Sequence, residues 1–246
     1  MTDNSINKPL FAMITLNCNV LEEPVSINYL IERYFTDFEN YIDGYFILID
    51  SLDCKKIDPR QIIGLAKMVK QLSENKYVFL KQIGGFGEIL CAIGASGFIS
   101  GLYMRETFSL KYIERKPEKF GTPNRIFIPE LFTYVNEEVA RNINYKCTCS
   151  FCNGSLQTDI PSKKIHYFTC KTNTTNDLQE LNNNEKLNYM LDKINETLTF
   201  SSRITVFNSS YLNNWKNILE SSQNWSFTKQ DEIDLEELLD ELEGED

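Results

Sequence analysis

The sequence has one histidine, His166, and no apolar run that approaches the ~18 residues of a membrane-spanning helix. If a metal ion bound this single imidazole, no histidine would remain for acid–base catalysis. The first residues also lack a basic segment followed by an apolar one, so we expect no signal peptide. These absences predict a protein without a membrane partner.

The chain also lacks an excess of positive charge, since its formal net charge is −10. Residues 229–246 hold ten acidic side chains and one lysine, so 24 of the 25 basic and 25 of the 35 acidic side chains lie elsewhere. A body so close to neutral gives little support for nonspecific binding to the nucleic-acid backbone. The local basic stretch from Lys111 to Arg125 could still bind phosphates, or it could be an ordinary solvated face.

The seven cysteines form no disulfide framework, because their number is odd and four of them are scattered. We therefore expect a reducing, cytoplasmic environment, which favours metal binding by the clustered cysteines. Cys147, Cys149 and Cys152 fall within six residues, and His166 follows fourteen positions after the last. Thiolate sulfur and imidazole nitrogen suit Zn²⁺, and four protein ligands close its tetrahedral shell. This spacing predicts a structural zinc site.

Apolar runs alternate with helical patterns in the first hundred residues. Strands are predicted at 9–16, 45–49, 77–83 and 97–100, and helices at 27–41, at 58–72 and, as a short one, after Gly84 and Gly85. Continuous apolar strands separated by helices indicate a parallel sheet covered on both faces. A complete eight-stranded (βα) barrel takes about 250 residues, and only four or five units precede the cysteines. We therefore predict an α/β fold, a partial or reduced TIM-like barrel with a zinc-binding insertion and C-terminal helices.

Four regions are predicted along the chain: a barrel-like domain over 1–140, a zinc-binding segment over 141–170, a helical region over 171–226 and an acidic amphipathic tail over 227–246. A strand-like run from about Asn124 leads into a helix that ends near Arg141. Residues 171–184 are rich in Asn and Thr and predict a loop, followed by helices over 185–198 and 210–219. The tail carries leucines at helical spacing, which indicates either a segment that docks on a protein partner or a solvated disordered tail.

Polar residues and glycines follow the predicted strands, at the positions where α/β barrels carry their chemistry. Carboxylates and amides there can bind the edge of a flat heterocycle, and glycines let backbone N–H groups approach it. The same residues could simply form turns. They are Asp50 and Asp53 after the second strand, Gln82, Gly84 and Gly85 after the third, and Gly101 to Glu106 after the fourth.

These motifs, with the cysteine cluster behind them, resemble the tRNA-guanine transglycosylase superfamily. The segment Ile47–Cys54 is similar to the family's IxMIFDEC-like strand end, and Lys81–Glu88 to its VQGG followed by an acidic residue, with one insertion. Ser96–Glu106 is similar to its DGYxxGGLAVGE segment, and the CxCxxC with a downstream histidine to its zinc site. The resemblance covers residues 45–106 and 147–166, less than half of the chain.

The resemblance implies binding of a nucleobase or nucleic acid. It places Asp50 and Gln82 on the edge of the base, Gly101 and Leu102 at its carbonyl, and Glu106 in support. Its zinc ligands would be Cys147, Cys149, Cys152 and His166; because the histidine follows the cysteines more closely than in the family, Cys170 is an alternative fourth ligand.

The family's nucleophilic aspartate has no counterpart between Glu106 and Cys147. Base exchange by this chain alone therefore lacks a named nucleophile, with Asp50, Asp53 and Glu106 as the carboxylates that could substitute. The alternative function is a non-catalytic, zinc-braced interaction subunit of a bacterial nucleic-acid modification or defence complex. A third hypothesis is a split gene product whose remaining strands come from another chain.

Overall fold

Successive βα units build the first half of the chain in the computed structural model. The structure describes residues 8–38, 40–55, 59–99, 108–110, 124–156, 159–202, 204 and 207–225. The acidic tail and most of the basic stretch from Lys111 lie outside these ranges, so the predictions made for them remain predictions. No helix in the described ranges is long and apolar enough to cross a membrane.

Four parallel strands lie side by side in chain order: β1 (Phe11–Asn17), β2 (Gly44–Asp50), β3 (Tyr77–Lys81) and β4 (Gly97–Ile99). They are connected by α1 (Pro24–Phe38), α2 (Pro59–Leu72) and α3 (Phe86–Ile93), and a 3-10 helix (Cys18–Glu22) precedes α1. The predicted strands and helices are confirmed with shifts at their ends. Helix α1 begins three residues earlier than predicted, at Pro24, because proline suits the first turn of a helix.

The helices cover one face of this sheet. Each connection moves one strand further in the same direction, and right-handed crossovers then place every helix on the same side. Ile14, Ile47 and Leu80 point to that side and are buried, whereas Met13 and Tyr77 point to the other side and are each 62% exposed. The cover predicted for the second face is not found among the described residues. We call this second side of the sheet the inner face.

The α/β class and the parallel sheet are thus confirmed, whereas a closed barrel is not seen. The described strands of the first half form one open sheet of four strands. Its edges are β1 and β4, and neither pairs with a further strand in the part of the chain that the structure describes.

The second half begins with an antiparallel hairpin of β5 (Arg125–Ile128) and β6 (Thr133–Asn136), joined through a 3-10 helix (Pro129–Leu131). Four helices follow: α4 (Glu137–Asn142), α5 (Ile160–Gln179), α6 (Asn183–Ser201) and α7 (Ser210–Ser222). The cysteine-rich loop lies between α4 and α5. We call residues 124–179 the metal module, because the hairpin, the loop and α5 share one hydrophobic cluster that contains the clustered cysteines.

The predicted loop over 171–184 is wrong for most of its length, because α5 continues to Gln179. Threonine and asparagine have low intrinsic helix propensity. Here packing outweighs it, since Lys171 and Leu178 are buried on this stretch. The hydroxyl of Thr175 also donates to the carbonyl of Lys171 one turn earlier, at 2.8 Å. The predicted helices over 185–198 and 210–219 are confirmed as α6 and α7.

Trp215 of α7 joins the C-terminal helices to the βα half. It is fully buried, its ring lies 5.3 Å from the ring of Phe86 and 4.9 Å from that of Tyr211, and its indole N–H donates to the carbonyl of Cys54 at 3.0 Å. The helices α6 and α7 are therefore part of the same hydrophobic core as the sheet.

We predict that Gly64→Ala destabilises the βα half. A Cβ atom at Gly64 of α2 would overlap the carbonyl oxygen of Leu21, which is backbone and cannot turn aside. We expect the free energy of unfolding to fall by about 1–3 kcal/mol, as measured by urea denaturation. The control Lys67→Ala changes an exposed position of the same helix. A Gly64→Ala protein as stable as this control would contradict the packing described.

Candidate metal centre and the carboxyl edge of the sheet

The loop that carries the first three cysteines is tightly folded around its own sulfur atoms. The backbone N–H of Cys149 donates to Sγ of Cys147, and that of Cys152 donates to Sγ of Cys149, both at 3.4 Å. Gly154 closes the loop with a positive φ of 86°, and its N–H donates to the carbonyl of Cys147 at 2.8 Å. N–H groups directed at sulfur favour the thiolate form, which is the form that binds metals.

Helix α5 brings two more donors to the same place. His166 and Cys170 are four residues apart, so they lie on one face of the helix. Nδ1 of His166 lies 3.5 Å from Sγ of Cys147, 3.6 Å from Sγ of Cys149 and 3.5 Å from Sγ of Cys170. The imidazole is fully buried.

A carbonyl of the hairpin fixes the orientation of this imidazole. Nε2 of His166 lies 2.7 Å from the carbonyl oxygen of Phe127 in β5. Because a carbonyl can only accept, Nε2 carries the proton, and Nδ1 is the nitrogen available as a ligand. A histidine that donates its second N–H to a backbone carbonyl is the usual arrangement at protein metal sites.

The four groups match the dimensions of a tetrahedral site. All donor atoms of Cys147, Cys149, His166 and Cys170 lie within 4.8 Å of one another, and all four residues are buried. Bond lengths of ~2.3 Å to sulfur and ~2.0 Å to nitrogen give sulfur–nitrogen edges of about 3.5 Å in a tetrahedron. The measured separations from Nδ1 agree with that value. These residues are therefore positioned to bind a metal ion.

Cys152 is a fifth potential donor. Its Sγ lies 3.2 Å from Nδ1 of His166, but it is not a member of the group of four. The cysteine spacing predicted Cys152 in the ligand set, with Cys170 as an alternative to His166. The structure brings all five side chains together and includes both His166 and Cys170 in the group. Their i, i+4 spacing on a helix is the sequence feature that indicates a shared role.

Hydrogen bonds within the cluster shift the pKa values of its members in opposite directions. A hydrogen bond from the thiol of Cys170 lowers the pKa of Cys147 to about 3, against the effect of burial and with help from His166. The same bond raises the pKa of Cys170. Burial lowers the pKa of His166, but hydrogen bonds with Cys147 and with the carbonyl of Phe127 outweigh it and raise the pKa to about 9. An incoming cation displaces protons from these groups, so its affinity falls with falling pH.

A buried ion pair supports the cluster. Nζ of Lys163 in α5 lies 3.5 Å from a carboxylate oxygen of Glu137 in α4, and each side chain is under 5% exposed. Lys163 also donates to the side chain of Asn124 at 3.3 Å. This pair ties α5 to α4, on either side of the cysteine-rich loop.

The remaining cysteines lie in the βα half. Cys18, Cys54 and Cys91 are buried there and belong to the other hydrophobic cluster. Burial raises the pKa of Cys91 to about 12. These three thiols are separate from the metal centre.

The second group of candidate residues lies at the carboxyl edge of the sheet, where β1 to β4 end. Asp50 is the last residue of β2 and is 8% exposed. One of its carboxylate oxygens accepts from the N–H of Leu110 at 2.7 Å, and the other lies 3.5 Å from the side-chain amide of Asn17 at the end of β1. Asn17 was missed in the sequence, although the strand-end rule that selected Asp50 applies equally to it.

Two neighbouring strand ends carry unusual backbone conformations. Ser51 after β2 has a φ of 63°, and Gln82 after β3 has a φ of 58°. Left-handed backbone costs energy at residues other than glycine, and such residues concentrate at functional sites. The N–H of Gln82 donates to the carbonyl of Ile99 at 2.8 Å, which places Gln82 beside the end of β4.

The other candidate residues of the carboxyl edge have local roles or lie outside the described ranges. A carboxylate oxygen of Asp53 accepts from the N–H of Lys55 at 3.1 Å, which is a turn. Gly84 has a φ of 58°, and a Cβ atom at Gly85 would lie 2.6 Å from the carbonyl oxygen of Phe132, so Gly85 serves close packing. The three not described are Gly101, Leu102 and Glu106.

Two surface cavities lie away from both sites. One of about 440 Å³ is lined by residues of α2, α3, α6 and the end of α7, and another of about 530 Å³ by residues of α6. Neither cavity is lined by a candidate metal ligand or by a candidate residue of the carboxyl edge.

Comparison of the chain with protein-family models, with curated proteins and with solved structures finds no match in any of the three.

Proposed function

We propose that this protein binds a nucleobase or nucleic acid in the manner of a diverged tRNA-guanine transglycosylase, and that its metal centre is a structural zinc site. The observation that carries the proposal is the convergence of buried thiol and imidazole groups on one point. The strand ends on which the resemblance depends are the second support. Asp50 and Gln82 are the base-binding residues of the proposal.

The donor set supports zinc. Three sulfurs and one imidazole nitrogen suit Zn²⁺ better than Mg²⁺ or Ca²⁺, which prefer oxygen. Four protein donors fill a tetrahedral shell and leave no position for a substrate. The site is buried within a hydrophobic cluster, which further supports a structural role.

The carboxyl edge supports base binding. Guanine presents two adjacent N–H donors, at N1 and N2, which a carboxylate can accept together. Leu110 and Asn17 hold the carboxylate of Asp50, and this interaction orients it before a ligand arrives. The side chain of Gln82 can both donate and accept, which suits the remaining edge of a base.

Base exchange is not part of the proposal. Covalent exchange requires a nucleophile opposite the base, and Asp50 is already assigned to the base edge. Asp53 is engaged in a turn, and Glu106 is outside the described residues. The proposal therefore concerns binding, and exchange activity is a separate measurement.

We predict that Asp50→Asn weakens guanine binding at least tenfold, as measured by isothermal titration calorimetry with guanine and 7-deazaguanine. Asparagine keeps a carbonyl for the N–H of Leu110 but cannot accept two N–H groups from the base, so the fold is retained while recognition is lost. Loss of charge-assisted hydrogen bonds of this kind costs about 1.5–3 kcal/mol. The matched control is Asp53→Asn, one turn away. Wild-type protein that binds neither base, or equal affinity in Asp50→Asn, would contradict the proposal.

A second candidate is the zinc-braced interaction subunit. Ile165 and Phe168 on α5 are 48% and 62% exposed, which favours a protein contact on the metal module. Deletion of residues 227–246 and the change Phe168→Asp test the two surfaces separately. If a partner co-purifies equally with both altered proteins, this second function is excluded for these surfaces.

A further inference from the structure

The inner face of the sheet changes character along its strands. Near the start of the strands it carries the rings of Phe11, Phe46 and Phe79, whose centroids lie 5.2, 5.4 and 5.6 Å apart. Met13 and Tyr77 extend this apolar area, each 62% exposed. Towards the carboxyl edge the same face carries the polar residues Thr15, Asn17, Asp50 and Lys81, together with the apolar Leu48 and Ile99.

This gradient is the one found inside a closed (βα) barrel. The interior of such a barrel is filled by bulky side chains, and its functional residues lie at the carboxyl end of the strands. No helix or strand among the described residues covers this apolar area, which is unusual because parallel sheets are normally covered on both sides. The inner face therefore has the composition of a barrel interior.

The strand order and the open edges indicate what could cover it. Strands in the order β1-β2-β3-β4, with α1 to α3 on one side, have the arrangement of half an eight-stranded barrel. A second half of the same kind would be related to the first by a twofold axis along the barrel. Its β4 would pair with β1 of the first half, and its β1 would pair with β4 of the first half. All eight strands would then be parallel, and both contacts would be identical, as twofold symmetry requires.

We propose that a second copy of this chain covers the inner face and closes an eight-stranded parallel barrel across two subunits. The inference does not depend on the proposed function. Such a barrel would pair both edges of the sheet, β1 and β4, which have no further partner strand within the described ranges and are otherwise sites of uncontrolled pairing. It also places Asp50, Asn17 and Lys81 of both copies around one mouth, so a site at the carboxyl edge is complete only in the dimer.

The test is the mass of the full-length protein by sedimentation velocity and light scattering. One chain has a mass of 28.6 kDa, so the closed barrel is expected at about twice that value. Met13→Asp and Tyr77→Asp place a charge in the interface and are expected to weaken dimerisation at least 100-fold. Both side chains are largely exposed in the single chain, so these changes leave its fold intact.

Phe168→Asp is the matched control, since Phe168 is also 62% exposed but lies on the metal module. It is expected to remain a dimer. A dimer that dissociates in Phe168→Asp but persists in Met13→Asp would place the contact on the metal module and overturn the proposal. A monomeric wild-type protein, whose inner face is then covered by its own chain, would also overturn it.

Amide hydrogen exchange distinguishes a closed barrel from two sheets that pack face to face. Pairing of β1 with β4 of the partner should protect those amides of Phe11–Asn17 that do not already bond to β2, at least tenfold in the wild-type dimer over the Met13→Asp monomer. Equal exchange of β1 in the two proteins would reject the barrel.

Discussion

Removal of a metal ion from the proposed zinc site is expected to unfold the metal module while the βα half keeps its structure. Most buried side chains of residues 124–179 form a separate hydrophobic cluster, in which the four clustered cysteines are themselves buried members. Phe132 and Leu178 belong instead to the core of the βα half. Without an ion, this cluster retains buried thiols and an imidazole that only partly satisfy one another. Structural zinc contributes on the order of 10 kcal/mol to the free energy of folding of small modules. We expect the hydrophobic contacts of this cluster to be too weak to offset that loss.

The measurement is amide hydrogen exchange before and after chelation at neutral pH. We expect the amides of β5, β6 and α5 to lose protection by at least 100-fold and those of β2 and β3 to change little. Re-addition of zinc should restore protection. If all regions respond equally, the metal centre does not act on the module alone, and the division into two clusters is wrong.

Substitution of a single ligand should also weaken metal binding. Cys149→Ser is expected to reduce zinc affinity at least 100-fold, because a hydroxyl is a poor replacement for a thiolate. Cys91→Ser is the control, since Cys91 is also buried but belongs to the βα half. It should keep full zinc content. Loss of zinc in both proteins would indicate a general folding defect instead of a lost ligand.

Lys171→Met is expected to lower the free energy of unfolding by about 3–5 kcal/mol. Nζ of Lys171 in α5 lies 2.8 Å from a carboxylate oxygen of Glu88 in α3, and the side chains are 9% and 3% exposed. Methionine preserves the apolar stem but leaves the carboxylate of Glu88 buried without a partner. Lys171 also lies 5.0 Å from the ring centre of Phe127, so it contacts the hairpin as well.

A double-mutant cycle in urea denaturation isolates this pair. Lys171→Met combined with Glu88→Leu should recover most of the lost stability, because no unpaired charge then remains. Lys164→Met, at an exposed position two turns earlier on α5, should change stability by less than about 0.5 kcal/mol. Additive losses in the double mutant would show that the two side chains do not act as a pair.

The same ion pair explains why part of the fold could not be predicted. The strands of the first half are continuous apolar runs, and this local pattern predicted them with small errors at their ends. The loop predicted over 171–184 failed because its stability as a helix comes from contacts such as Lys171 with Glu88, which are 83 residues apart in the chain. Local propensity contains no information on such a contact.

The hairpin shows a similar limit. Its first strand was predicted, but β6 was not, since the turn between them depends on the left-handed backbone of Phe132, with a φ of 52°. A phenylalanine gives no sign of that conformation. For the metal centre, the close spacing of Cys147, Cys149 and Cys152 predicted a ligand cluster. Which members of the set bind together depends on the position of α5, which only the structure provides.

The most direct test of the metal centre is X-ray absorption at the zinc edge on protein purified without added metal. The account predicts about one zinc ion per chain, with three sulfur neighbours at ~2.3 Å and one nitrogen neighbour at ~2.0 Å. Folded protein that contains no metal, or an ion surrounded only by oxygen, would contradict it.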